Sequence, residues 1–196
     1  MKFTKIPSTT MQNIQLNAGV LLKEFVPSTG TMTLANILGA TTGGISFTAA
    51  PEYTDFGEDI DNCPKNTKEL KILDSWTVTM SGTFVSVTPE LAKLLTGAAD
   101  TATGDATHIV PRNDLDQEDF TEVWWVGDYS DKTGESNGGF CAIKLSNALS
   151  TGGFQIQSSD KAKGNFAFEF TGHYSINAQD TVPFEIYVKT GTDEPA

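Results

Sequence analysis

The sequence predicts a mainly β fold, an antiparallel β-sandwich or barrel with one short flanking helix. Three observations point there. Several segments alternate apolar and polar residues, clusters of Gly, Pro, Asn, Asp and Ser separate them, and a single stretch stands out with helical spacing. Strands in series joined by tight turns pack as sandwiches or barrels.

The first expected strand covers residues 14–22. Ile14, Leu16, Ala18 and Val20 fall on one face, with Gln15 and Asn17 opposite. Pro27-Ser28-Thr29-Gly30 then breaks the chain. A second strand is expected over 44–49, ending at Pro51. The clearest strand covers 76–85. Trp76, Val78, Met80, Gly82 and Phe84 share one face, and Thr77, Thr79, Ser81 and Thr83 share the other. Alternation this strict marks a strand buried on one side.

The helix comes next. Thr88 can cap it, Pro89 suits its first position, and Glu90 suits the positive end of its dipole. Leu91, Leu94 and Leu95 form the apolar stripe, and Gly97 stops it. Further strands are expected over 123–126, 140–149, 154–157, 165–176 and 184–189, with Asp131-Lys132-Thr133-Gly134 as a turn. In the longest of them, Phe166, Phe168, Phe170, Gly172, Tyr174 and Ile176 form one face, and Asn165, Glu169, Thr171, His173 and Ser175 the other. The sum is about eight strands and one helix.

The organisation reads as one domain over 14–190, with an N-terminal arm over 1–13 and a C-terminal tail over 191–196. One segment does not suit a plain sandwich, the long loop over 50–75. It carries apolar Tyr53, Phe56, Ile60, Leu70, Ile72 and Leu73, then acidic Glu52, Asp55, Glu58, Asp59 and Asp61, then Lys65, Lys68 and Lys71. Loops of such length are functional or disordered, and these apolar anchors argue against disorder. Two readings stay open: the segment packs on a partner, or on its own domain.

Composition narrows the function. The 196 residues carry 25 acidic and 13 basic side chains, a net charge of −12. Such a chain repels phosphate, so ordinary nucleic-acid binding is not expected. No apolar segment directly follows the first ten residues, so a signal peptide is not expected, and no apolar run suits a membrane span. A soluble protein made in a cytoplasm is expected. Cys63 and Cys141 are far apart in sequence and read either as two free thiols or as one disulfide.

No chemistry stands out. The sequence has no G-x-S-x-G elbow, P-loop, H-E-x-x-H or strand-linked G-x-G-x-x-G. His108, His173, Cys63 and Cys141 lack the paired spacing of zinc ligands. Asp55, Asp59 and Asp61 lack the order of a calcium loop, and the cluster Asp114, Asp116, Glu118, Asp119 and Glu122 reads as a solvated face. His173 and Glu169 share a strand face, as an ordinary surface pair does. Cys141, between Phe140 and Ala142, reads as a core residue. No enzyme activity, metal or cofactor is expected. The Trp124-Trp125 pair should send one indole into the core and leave the other exposed or at an interface. An exposed indole would suit either a subunit contact or a carbohydrate-binding module.

Three strings carry a resemblance. Residues 55–66 (DFGEDIDNCPKN), 124–130 (WWVGDYS) and 168–175 (FEFTGHYS) resemble tail tube, or major tail, proteins of long-tailed bacteriophages and prophages. The likeness extends over about residues 16–189. It implies a β-sandwich or barrel subunit, six of which form a ring whose inner sheets join around a channel. Rings stack into a tube that delivers DNA, which passes without specific binding. The same fold serves type VI secretion tubes, so a tube subunit of a contractile bacteriocin or type VI-like machine is the alternative. The implied partners are copies of the chain itself, and tape measure, tail terminator and distal tail proteins. The implied location is the host cytoplasm during assembly and then the virion tail, with no membrane. The loop, through Tyr53, Phe56, Glu58, Asp59, Ile60 and Asp61, would contact a neighbouring subunit. Thr77, Thr79, Ser81, Thr83, Glu169, Thr171 and His173 are the residues expected to face the channel.

Overall fold

The computed structural model describes residues 4–132 and 138–192. Residues 1–3 of the expected arm, Thr133 and Gly134 of the expected turn, and residues 193–196 of the expected tail lie outside the described residues. Those described include nine strands: β1 (Gln15–Leu22), β2 (Thr41–Asp55), β3 (Lys71–Phe84), β4 (Ala99–Thr101), β5 (Ile109–Pro111), β6 (Thr121–Tyr129), β7 (Gly139–Ser150), β8 (Phe166–Gly172) and β9 (Phe184–Lys189). One α-helix, α1 (Pro89–Thr96), follows β3.

Seven strands form one antiparallel sheet in the order β1-β6-β7-β8-β3-β2, with β9 also on β7. Strands β4 and β5 make a separate small hairpin. The sheet branches at β7. Residues Phe140 to Leu145 pair with β9, and Ala148 to Ser150 pair with β8. The sheet also curls. The ring of Phe184 on β9 lies 5.8 Å from that of Phe47 on β2 and 5.4 Å from that of Trp76 on β3. Its two ends are stitched by the segment before β2, where Leu38 N–H donates to Leu21 O at 2.9 Å and Ile37 bridges Leu22. This is the predicted mainly β architecture with one flanking helix.

The core fills the inside of the curl. Val78, Met80, Phe84, Leu145 and Phe170 are fully buried there. Each such side chain contributes about 1.5–3 kcal/mol by leaving water. Helix α1 adds Leu91 and Leu95 to this cluster. Its start is capped as expected: the Thr88 hydroxyl accepts from Leu91 N–H at 3.1 Å. Gly97, at φ 82°, ends it. A second cluster, Leu22, Phe25, Trp124 and Ala142, covers the other face of β6 and β7.

Four sequence expectations change. Strand β1 does not keep one apolar face. Asn17 and Gly19 take φ of 50° and 70°, and the register with β6 shifts between Leu16 and Val20. Past the shift, Leu21 and Leu22 are both fully buried, in different clusters. The cause is Trp125, whose Nε1–H donates to Ala18 O at 2.9 Å. A Cβ on Gly19 would lie 2.5 Å from that Nε1, so only glycine fits. The expected strand 154–157 is instead part of the β7–β8 connection, with a single bridge between Gln157 and Asn165. The expected strand 165–176 ends at Gly172, so Tyr174 and Ile176 leave the core face and are exposed.

The largest change is in the loop over 50–75. Strand β2 runs through Pro51 to Asp55, and β3 starts at Lys71, so only residues 56–70 lie outside strands. Pro51 is tolerated for a definite reason. Its partner is Trp76, whose N–H turns away from β2 and donates to the Tyr174 hydroxyl at 2.9 Å. Opposed residues of an antiparallel pair point their amides the same way, inward or outward. The donor that Pro51 lacks therefore belongs to the free edge of the sheet, where proline does no harm to the ladder.

Candidate functional site

Strand β8 covers β3 only from Val78 to Phe84. The β2–β3 ladder continues past that point to the pair Asp55–Lys71. Residues 50–55 and 71–77 thus form a two-stranded ribbon that outruns β8. A ribbon of two strands has no sheet to bury its side chains against. Beyond Trp76, which packs on Phe184, its large apolar residues and those of its turn are accordingly open: Tyr53 is 54% exposed, Phe56 54%, Ile60 50%, Ile72 52% and Leu73 45%.

The tip of the ribbon is built. Its turn has two single 3-10 turns, Phe56–Asp59 and Lys68–Leu70. The Asp55 carboxylate accepts N–H from Asn66 at 2.7 Å and from Gly57 at 2.9 Å, tying the two sides together. Those bonds, Asn66 first, hold its pKa below the ordinary value. Lys71 Nζ sits 5.1 Å from the centre of the Tyr53 ring. The apolar groups are therefore displayed on an ordered support. Glu58 faces Lys65 at 3.6 Å, while Asp59 and Asp61 are exposed.

Six of the seven residues expected to face the channel, all but His173, lie on one surface. Thr79 is flanked by Thr48 on β2 and Thr171 on β8, and Ser81 by Ser46 and Glu169. Thr83 is flanked by Thr42 and Ala167, and Thr77 lies beside Ala50. Directly opposed residues share a sheet face, so these rows form a three-strand Thr/Ser surface on the side away from the core. Thr77 donates to Glu52 at 2.6 Å, and Thr151 meets Thr171 at 2.8 Å. His173 falls just past the end of β8. Its ring packs edge-on to Phe120 at 5.3 Å, and its Nδ1 lies 3.2 Å from Asn147 O. The Thr/Ser rows do not extend to it.

Neither tryptophan of the pair is exposed. Trp124 is 3% exposed in the second cluster, and Trp125 packs against the main core. The expectation of one exposed indole fails because the segment around Phe25 covers the outer face of β6. A sugar-stacking platform there loses its basis. Cys63 and Cys141 are both free, one on the ribbon tip and one on β7. Among the described residues, no group of three or more His, Cys, Asp and Glu could hold a metal ion. Among them too, no helix is long and apolar enough to cross a membrane.

Sequence reasoning missed one motif in the acidic cluster. Arg112 draws four carboxylates together: Asp119 at 2.6 Å, Asp116 at 2.5 Å, Asp100 at 2.9 Å and Asp114 at 4.0 Å. Asp119 is buried, and with Asp116 it forms a capping box on the turn Gln117–Asp119. Three of the five residues of the supposed solvated face, Asp114, Asp116 and Asp119, thus belong to a fastening that holds the β5–β6 connection. The spacing Asp116–Asp119 was a visible signal for it.

No protein-family model matches the chain, and no curated protein does. Among solved structures, the chain is similar to a chain from the virion of a native gene transfer agent particle, with a TM-score of 0.41. The two are 8% identical, over 81% of this chain and 92% of the other. At that identity no residue role carries across.

Proposed function

We propose that this chain is a virion structural protein, the tail tube subunit of a long-tailed phage, and that it acts by assembling with its own copies and not by catalysis. The observation that carries this reading is the β2–β3 ribbon. It holds five large apolar side chains half in water on an ordered support. Exposed apolar surface of that kind marks an interaction site. The sequence strings at residues 55–66, 124–130 and 168–175 supply the resemblance to tail tube proteins.

Two further features support it. Among the described residues, β2 pairs with no strand but β3, so its other edge carries no strand. An open edge is stabilised by another strand, and a heterologous contact that closes by rotation gives a ring. Six copies would then join their sheets around a channel, with the Thr/Ser rows of β2, β3 and β8 as its wall. Hydroxyls and the carboxylates Glu52 and Glu169 would offer a phosphate backbone little to hold, so DNA would pass without specific binding. Tape measure, tail terminator and distal tail proteins would be its further partners.

Negative-stain microscopy of the purified chain at rising concentration tests this. Rings or tubes of constant width are expected. Particles of monomer size at every concentration would overturn it.

A further inference from the structure

The ribbon needs a surface to meet, and the chain carries one with matching chemistry at its opposite end. The connection between β7 and β8, residues 151–165, lies where β3 finishes. Phe166, the first residue of β8, pairs with Phe84, the last of β3. Lys163 Nζ donates to Thr42 Oγ1 at 3.2 Å, which ties the connection to the start of β2. The ribbon tip is at the other end of the same strands. Fourteen residues of β3 separate them, a span of about 45 Å at ~3.3 Å per residue. The two surfaces cannot touch within one chain.

Their chemistry is complementary. Residues 50–75 hold seven acidic side chains against three lysines, whereas 151–165 hold Lys161 and Lys163 against Asp160. An excess of base is unusual in a chain of net charge −12. Among the described residues, neither Lys161 nor Lys163 is ion-paired, and neither are Asp59 and Asp61 on the tip. Both surfaces also display apolar groups. Phe154 is 44% and Ile156 60% exposed, facing the half-exposed Phe56 and Ile60 of the ribbon in kind. Phe154 is held in place by Phe166, 5.9 Å away between ring centres. The acidic stretch Asp114, Asp116 and Glu118 would instead repel the tip.

We infer that the ribbon tip of one copy docks on the 151–165 connection of a second copy, head to tail, with Asp59 and Asp61 opposite Lys161 and Lys163. This rests on the self-assembly reading above. The contact is heterologous, so each copy both offers a tip and receives one, and the array extends along the strand direction.

Charge reversal tests it. Three variants are compared with the parent by sedimentation: D59K/D61K, K161E/K163E, and all four changes together. All four sites are exposed, and circular dichroism confirms each fold. Either pair alone should raise the concentration needed for assembly about tenfold or more, and the fourfold variant should restore it. Paired variants that assemble like a competent parent would overturn this contact and leave self-assembly standing. A fourfold variant as impaired as the pairs would overturn it too. A parent that never assembles would overturn both readings.

Discussion

Replacing Phe56 and Ile60 by serine should weaken association strongly while leaving the fold intact. The magnitude comes from their exposure. Full burial of a Phe or Ile is worth about 1.5–3 kcal/mol. Phe56 is 54% and Ile60 50% exposed, so roughly half of that is still to be gained when a partner covers them. Each side chain then offers about 0.7–1.5 kcal/mol, and the pair about 1.5–3 kcal/mol. That is a loss of about 10–150-fold in affinity per ribbon. The half already buried in the isolated chain belongs to the ribbon turn, so its removal should lower the melting temperature modestly and leave the sheet folded. Thermal unfolding of the monomer and light scattering against concentration read the two effects separately. An F56S/I60S variant that assembles at the parent's concentration would refute the reasoning. So would a large fall in melting temperature, which would mean that these side chains hold the fold.

Two other predictions follow from the local geometry. G19A should destabilise the chain by about 2 kcal/mol or more, since the new Cβ meets the Trp125 indole and the residue keeps a positive φ; thermal melting with tryptophan fluorescence checks it. The Asp55 carboxylate has its pKa lowered by the N–H groups of Asn66 and Gly57, so its contribution to the ribbon turn is present above the ordinary value of 3.8 and lost as the pH falls through the lower folded-state value. Limited proteolysis with an acid-active protease should therefore open the 56–70 turn as the pH falls below that value, and D55N should open it already at neutral pH.

The parts of this fold that were legible in the sequence are those where one periodicity acts alone. Along β3, Val78, Met80 and Phe84 alternate with Thr79, Ser81 and Thr83 and meet the core as their pattern says. Around α1, Thr88, Pro89 and Gly97 set its ends by local chemistry. Legibility failed where a distant residue decides. Nothing near Gly19 announces that Trp125 will reach over it. Pro51 looked like the end of a strand, because the sequence does not say which way its missing N–H would point. The ribbon looks like a loop in sequence for the same reason: its register comes from pairing across twenty residues, and Asp55 must find Asn66 to close it. The apolar anchors Tyr53, Phe56 and Ile60 were visible by composition, but their display on a strand pair was not.

The open edge of β2 has a built-in stopping point. A visiting strand can bond the edge amides on the Thr41 side of Pro51, yet it meets a missing donor at residue 51 and a slipped register between Glu52 and Tyr53. Growth of a sheet along this edge therefore ends after a set number of rungs. Where identical chains are concentrated, an unguarded strand is a hazard, since stacks of them harden into fibres. By rationing how far a neighbour can zip, the proline and the bulge leave room for short, repeatable pairing and deny purchase to the fibrous kind.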